Sequence, residues 1–136
     1  MADPRISVVV LTHERPVELE RTLGALAALP EEPEVIVADN GRSDLTAQVV
    51  RSFPRARLVR TGGNRGAAGR NDGVAEVHTP FVAFCDDDTY WTHGALARAA
   101  DVLQQHPALG AIAARVQVGP DGPVDPTCER MADDVL

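Results

Sequence analysis

Hydrophobic and polar positions along this chain fall into short apolar runs, each breaking into a polar loop, with helically spaced apolar residues between them. Ile6 to Leu11 (Ile-Ser-Val-Val-Val-Leu) is a β-branched run ending at Thr12-His13-Glu14-Arg15-Pro16, the pattern of a buried strand and its exit loop. Pro16 suits the first turn of a helix, and Val17, Leu19, Leu23 and Leu26 recur at helical spacing until Pro30 closes the segment. Val35 to Ala38 reads as a second strand. It ends in Asp39-Asn40-Gly41-Arg42-Ser43-Asp44, where Asn-Gly and Ser-Asp are turn and cap residues. Leu45, Val49 and Val50 give a short helix stopped near Pro54. Ala56 to Arg60, centred on Leu58 and Val59, predicts a third strand. The small-residue stretch Thr61 to Gly73 then predicts a loop and a helix leading to Val74 and Val77.

The fourth run, Pro80 to Cys85, breaks into three consecutive carboxylates, Asp86-Asp87-Asp88. An extended backbone through them would point Asp86 and Asp88 to one side and Asp87 to the other. Like charges about 4 Å apart repel by roughly 4 kcal/mol at an effective dielectric near 20, so such a cluster protonates, splays into water or holds a cation. Oxygen-only ligands favour magnesium, manganese or calcium over zinc. The same triplet also suits a solvated turn or a helix cap. Beyond it, Thr92 is expected to cap a helix from about Gly94 to Gln105. Leu109 to Val118 is expected to add another strand, Gly119 to Pro123 a turn, and the residues from Val124 onward carry no clear signal.

Strands and helices thus alternate four times, which predicts an α/β fold of three layers, a mostly parallel sheet with helices on both faces. Residues 1–123 are expected to form one domain and residues 124–136 a tail. In such sheets ligands bind outside the carboxyl ends of the strands. The polar sets fall there: Thr12-His13-Glu14, then Asp39-Asn40-Gly41, then the Gly/Asn/Arg loop, then the carboxylates.

Composition narrows this picture. Aromatic residues make up only 4% of the chain, so the core must be built from Val, Leu, Ile and Ala, as suits a buried parallel sheet. A formal net charge of −7 argues against a nucleic-acid surface or an anionic membrane, though not against a single bound nucleotide. No apolar stretch is long enough to span a bilayer and Met1-Ala2-Asp3-Pro4-Arg5 lacks a signal-peptide pattern, so no integral membrane segment and a cytoplasmic location are expected. Cys85 and Cys128 form neither a metal spacing nor a disulfide framework.

A carboxylate-rich edge beside a loop carrying Arg65 and Arg70 suits a diphosphate, with a cation bridging phosphoryl oxygens and guanidinium groups meeting the rest. Asp39 could accept hydrogen bonds from a base or ribose, or merely shape an Asx turn.

These residues carry a resemblance. Val8-Val9-Val10-Leu11-Thr12-His13-Glu14-Arg15, Val37-Ala38-Asp39-Asn40-Gly41-Arg42-Ser43-Asp44, Asn64-Arg65-Gly66-Ala67-Ala68-Gly69-Arg70-Asn71-Asp72-Gly73 and the DxD-type Asp86-Asp87-Asp88 resemble, in order and spacing, the N-terminal half of a family 2 glycosyltransferase of the GT-A fold. Two departures are visible: His13 replaces the usual aromatic, and Arg42 interrupts the Gly-Ser pair after Asn40. The resemblance implies a Rossmann-like half that binds a UDP-, GDP- or dTDP-sugar with manganese or magnesium and serves inverting transfer to an acceptor hydroxyl. It implies that Thr12 and Glu14 line the nucleoside pocket, Asp39 meets the base, and Arg70 lies by the base or diphosphate. Asp86 would contact the ribose or sugar and Asp88 the metal, with His13, Asn64 and Asp87 completing the donor-binding set.

Enzymes of this family use a second half to bind the acceptor and supply the catalytic base, and no segment of that kind is found before Leu136. The expectation is therefore a donor-binding half without its base, able to self-associate through an exposed edge. The alternative is a non-catalytic module that binds a nucleotide or a protein. Two other readings fit less well. A phosphatase of the haloacid dehalogenase type would need Thr or Val where Tyr90 stands, and the glycines between Gly62 and Gly69 hold no clean Gly-x-Gly-x-x-Gly.

Overall fold

The structure is a computed structural model, and it describes residues 1–132. The first strand, β1 (Ile6–Thr12), leads into helix α1 (Pro16–Ala27), with Pro16 in its first turn as the sequence predicts. Strand β2 (Glu34–Asp39) is followed by α2 (Asp44–Arg51), whose N-cap Ser43 accepts the Leu45 N–H. Strand β3 (Ala56–Arg60) opens through a 3₁₀ turn, Gly66–Ala68, into the short helix α3 (Gly69–Val74). Strand β4 (Phe81–Asp86), helix α4 (Ala95–Gln105) and a terminal helix α5 (Pro126–Met131) complete the order.

The four strands form one parallel sheet in the order β3-β2-β1-β4. The chain steps outward from β1 to β2 to β3 and then returns across the sheet to β4. Right-handed crossovers in opposite directions require helices on opposite faces, and that is what the packing shows. Val8, Val10, Val35, Val37, Ala83 and Cys85 point to the face covered by α1, α2 and α4, where they meet Leu19, Leu23, Leu26, Val50 and Leu96. Burying each such leucine contributes about 2 kcal/mol. Val9, Ile36 and Ala38 point to the other face, under α3. Two glycines let α3 approach: a Cβ on Gly73 would lie 2.6 Å from Val9 Cγ1, and one on Gly69 would lie 2.4 Å from Asn40 Oδ1. Because α3 packs across β1, β2 and β3, it leaves Phe84 of β4 half exposed.

Three local expectations are corrected. Leu109 to Val118 forms no strand: it holds one isolated antiparallel bridge, Gln117 to Val124, across the predicted Gly119–Pro123 turn. A strand needs a ladder partner, and here Ile112, Val116 and Val118 have no sheet face to cover and stay exposed. Thr92 makes no side-chain cap. Gly94 occupies the N-cap of α4 at φ +79°, and the Thr92 carbonyl accepts the Ala95 N–H instead. The region after Val124 does carry a helix, started by Pro126 and capped by Asp125, whose Oδ1 accepts the N–H groups of Thr127 and Cys128. Residues 133–136 of the expected tail lie outside the described residues.

Candidate donor-binding cleft

Strand order places β1 between β2, reached through α1, and β4, reached from the far side of the sheet. The crevice outside the carboxyl ends of β1 and β4 is thus the topological switch point of the sheet, the usual ligand site of open α/β folds. A cleft of about 450 Å³ lies there, lined by Thr12, His13, Arg15, Asn40, Asn64 and the three carboxylates, among others. A smaller hollow of about 230 Å³ lies among Glu34, Pro54, Arg55, Ala56 and Arg57, around the opposite ends of β2 and β3, away from the carboxylates.

Of the residues singled out in the sequence, Thr12, His13, Asn64, Asp86, Asp87 and Asp88 meet in this cleft. Glu14, Asp39 and Arg70 instead build its frame. Glu14 adopts φ +55°, unusual for a residue with a side chain. Its Oε1 accepts the Arg42 N–H at 2.6 Å and the Ser43 N–H at 3.4 Å, tying the loop after β1 to the loop after β2. The Arg42 N–H, the nearer donor, holds the Glu14 carboxyl below the usual carboxylate range. A side chain on Gly41 would collide with this carboxylate, its Cβ lying 2.6 Å from Glu14 Oε1.

Asp39 is wholly buried. Its Oδ1 accepts the Gly41 N–H at 2.7 Å, the Asx turn that the sequence left open. Its Oδ2 accepts from Arg60 Nη1 at 2.9 Å, and Arg60 Nη2 also reaches the Ser43 carbonyl at 3.1 Å. Asn40 is equally structural: its Nδ2 donates to the Gly66 carbonyl at 2.9 Å and its Oδ1 accepts from Thr61 Oγ1 at 2.8 Å. These contacts pin the glycine loop over the end of β2.

The acidic run leaves the extended conformation after Asp86 yet keeps the expected alternation, Asp86 and Asp88 exposed and Asp87 buried. Strand β4 ends at Asp86, and Thr89 closes a turn onto the Asp86 carbonyl. Asp86 is exposed and paired with Arg70. Asp87 turns inward: Thr12 Oγ1 donates to its Oδ2 at 2.8 Å, Arg15 Nη1 donates to its Oδ1 at 2.7 Å, and its own carbonyl accepts from Thr22 Oγ1. Burial pushes the Asp87 carboxyl up, with the Thr12 bond and Arg15 pulling the other way. Asp88 remains 53% exposed, with Oδ2 on Arg15 Nη1 at 3.0 Å. Asp86 and Asp88 therefore pair with different arginines, Arg70 and Arg15.

Arg15 and Arg60 were not singled out by sequence reasoning. A signal existed for Arg60, which ends β3 in register with Asp39. Cys85 and Cys128 are free thiols, as expected, and burial pushes the Cys85 thiol up.

Among the described residues no three His, Cys, Asp or Glu side chains converge as a metal cage. The donor set fits a different arrangement. Asp88 is accessible, lies at the cleft and, among the described residues, has a partner on only one of its two oxygens. Magnesium-like ions are commonly held by one or two carboxylates together with substrate phosphates.

A parallel sheet with its cleft at the switch point is the fold of GT-A glycosyltransferases, and known proteins of that fold align with this chain. Residues 7–133 match the model of Glycosyl transferase family 2; the chain belongs to that family. Over 91 residues it is 42% identical to a validoxylamine A glucosyltransferase of Streptomyces hygroscopicus subsp. limoneus, covering 61% of this chain and 20% of that protein. It is 31% identical over 98 residues to the succinoglycan biosynthesis protein ExoU of Rhizobium meliloti (strain 1021), covering 68% of this chain and 29% of that protein. The mannosyltransferase PcManGT of Pyrobaculum calidifontis, solved with GDP-Man and Mn2+, aligns with a TM-score of 0.73 at 26% identity, over 89% of this chain and 39% of that one. TarS 1-349 of S. aureus, solved with UDP-GlcNAc, aligns with a TM-score of 0.65 at 27% identity, over 76% of this chain and 32% of that one. The chain thus spans between a fifth and two fifths of the length of these proteins. No helix among the described residues is long and apolar enough to cross a membrane.

Proposed function

We propose that this chain forms the donor side of an inverting family 2 glycosyltransferase. It would hold a nucleoside diphosphate sugar, together with Mn2+ or Mg2+, for transfer of the sugar to an acceptor hydroxyl. The observation that carries the reading is the convergence of His13, Asn64 and the acidic turn on one cleft at the switch point of a parallel sheet. The GDP-Man and Mn2+ bound by PcManGT and the UDP-GlcNAc bound by TarS support the ligand class.

In this reading Asp88, through its free oxygen and with substrate phosphates, holds the cation, which supplies charge to the leaving diphosphate. Arg70 exchanges part of its pairing with Asp86 for the diphosphate, and Asp86 then meets the ribose or sugar. His13 and Asn64 wall the nucleoside. Thr12 holds Asp87, and Glu14 and Asp39 keep the two loops in shape. The bond from the anomeric carbon to the phosphate oxygen breaks as the acceptor oxygen bonds from the opposite side, and the acceptor proton leaves to a base that we do not assign within this chain. Glucose is the first sugar to try, because three relatives are named glucosyltransferases. The cytoplasmic setting and self-association along the open β4 edge belong to the same proposal.

Calorimetry with UDP, GDP and dTDP, with and without Mn2+, tests it. Binding that requires the metal and is lost in Asp88→Ala is expected. No binding, or binding indifferent to that change, would sink the reading.

A further inference from the structure

Asp87 and Asp88 are adjacent acids that share one guanidinium nitrogen. Arg15 Nη1 donates to Asp87 Oδ1 at 2.7 Å and to Asp88 Oδ2 at 3.0 Å. The two acids depend on it unequally. The Asp87 side chain is 6% exposed and, cut off from water, depends on its partners in the chain, whereas the Asp88 side chain is 53% exposed and can turn to water or to another cation. Arg15 itself is anchored by its place between β1 and the Pro16 that opens α1.

The geometry points to Arg15 as a built-in counter-ion that competes with the divalent cation for Asp88. It pairs with both acids in this structure and keeps only Asp87 when the cation arrives. This rests on the proposed role of Asp88 as the metal's protein ligand.

Two effects of Arg15 oppose each other. Fixing Asp88 in place favours metal binding, but an exposed ion pair orders its partners only weakly. A permanent positive charge about 5 Å from a divalent ion disfavours it; at water-like dielectric and physiological salt the repulsion weakens binding about fivefold. Repulsion therefore wins. A guanidinium does not lose its proton in a protein, so the effect cannot be relieved by pH. Only added negative charge relieves it, and a diphosphate brings that charge. Arg15 thus makes the cation bind weakly alone and more tightly with nucleotide, a coupling that works equally in both directions.

The test is titration of the chain with Mn2+, reading free Mn2+ by electron paramagnetic resonance, with and without GDP or UDP. Without nucleotide, Arg15→Gln should bind Mn2+ about fivefold more tightly than wild type. Arg15→Lys, which keeps the charge, should stay near wild type, and Asp88→Asn should bind least. Arg15→Gln that is folded by circular dichroism yet binds no more tightly than wild type overturns the inference.

Should Arg15→Gln not fold, Mg2+ titration of the wild type, followed on the Arg15 Nε–H resonance, replaces it. A resonance that moves with the binding midpoint supports release of Asp88, and one that stays put overturns it. The two proposals fail separately. Wild-type Mn2+ binding with nucleotide but no gain in Arg15→Gln removes only the role of Arg15, whereas no Mn2+ binding under any condition removes the donor-site reading and this inference with it.

Discussion

Asp39 and Asp88 are both acids at the carboxyl ends of strands in one parallel sheet, yet they meet opposite fates. Asp39 ends β2, an inner strand flanked by β1 and β3. Its register partner on β3 is Arg60, and that guanidinium, with the Gly41 N–H, takes both carboxylate oxygens and leaves the side chain 0% exposed. Asp88 follows β4, one of the two outer strands, and its side chain stays 53% exposed. The difference separates architecture from available chemistry. The neighbours in the sheet decide it, not the acid.

The sharpest way to break the comparison is to remove the cover from Asp39. Arg60→Ala leaves a buried carboxylate with one backbone hydrogen bond. It should cost about 3 kcal/mol, the low end for a broken buried pair because Arg60 is itself partly exposed. Urea denaturation measures this, and a loss under about 0.5 kcal/mol would mean that Asp39 does not depend on the pair.

Next in size, Gly73→Ala tests whether the rigid end also needs its close helix. The added methyl would meet Val9 Cγ1 at 2.6 Å, and overpacking of this kind costs about 2 kcal/mol. Thermal unfolding should show it, and an unchanged midpoint would mean that α3 shifts freely.

At the open end, Asp88→Ala should change stability by no more than about 0.5 kcal/mol, as for an exposed surface site, while it removes metal-dependent nucleotide binding. A large loss of stability would make Asp88 structural and erase the contrast.

The smallest expected effect concerns acid. The Glu14 carboxyl is held below its ordinary 4.5 by the Arg42 N–H, so its contribution is present above 4.5 and fades as pH falls through the lowered value. Asp87 has the opposite sign. Burial raises its folded value above 3.8, so the folded state takes up its proton first and stability declines as pH rises through that window. Glu14→Gln should therefore flatten the acid limb of a stability-versus-pH curve, and Asp87→Asn should remove the opposing slope. Identical curves for wild type and Glu14→Gln would show that the loop tie does not matter.

Much of the fold was legible in the residues. The runs Ile6 to Leu11, Val35 to Ala38, Ala56 to Arg60 and Pro80 to Cys85 became the four strands; the inner pair, β1 and β2, is almost wholly buried and so nearly continuous in apolar residues, while the outer pair, β3 and β4, is only partly covered. Pro16 and Ser43 marked helix starts as predicted. The misread strand over Leu109 to Val118 shows the limit of such patterns. A β-rich run reports willingness to pair, while pairing needs a partner edge. The helix after Asp125 was legible in its Asp-Pro start, but six residues carry too little apolar periodicity to draw notice.

Of the cleft, the sequence alone determined where the strands end and in what order their polar loops follow. Apolar runs that stop abruptly put Thr12, Asp39 and Asp86 at strand ends, since local patterning needs only near neighbours. Which carboxylate is covered and which is open was decided only by the tertiary structure. Arg15 reaches Asp87 across 72 positions, Arg60 reaches Asp39 across 21, and Arg70 reaches Asp86 across 16. Those pairings depend on strand order and on how deep each strand lies in the sheet, and no local run of residues encodes either.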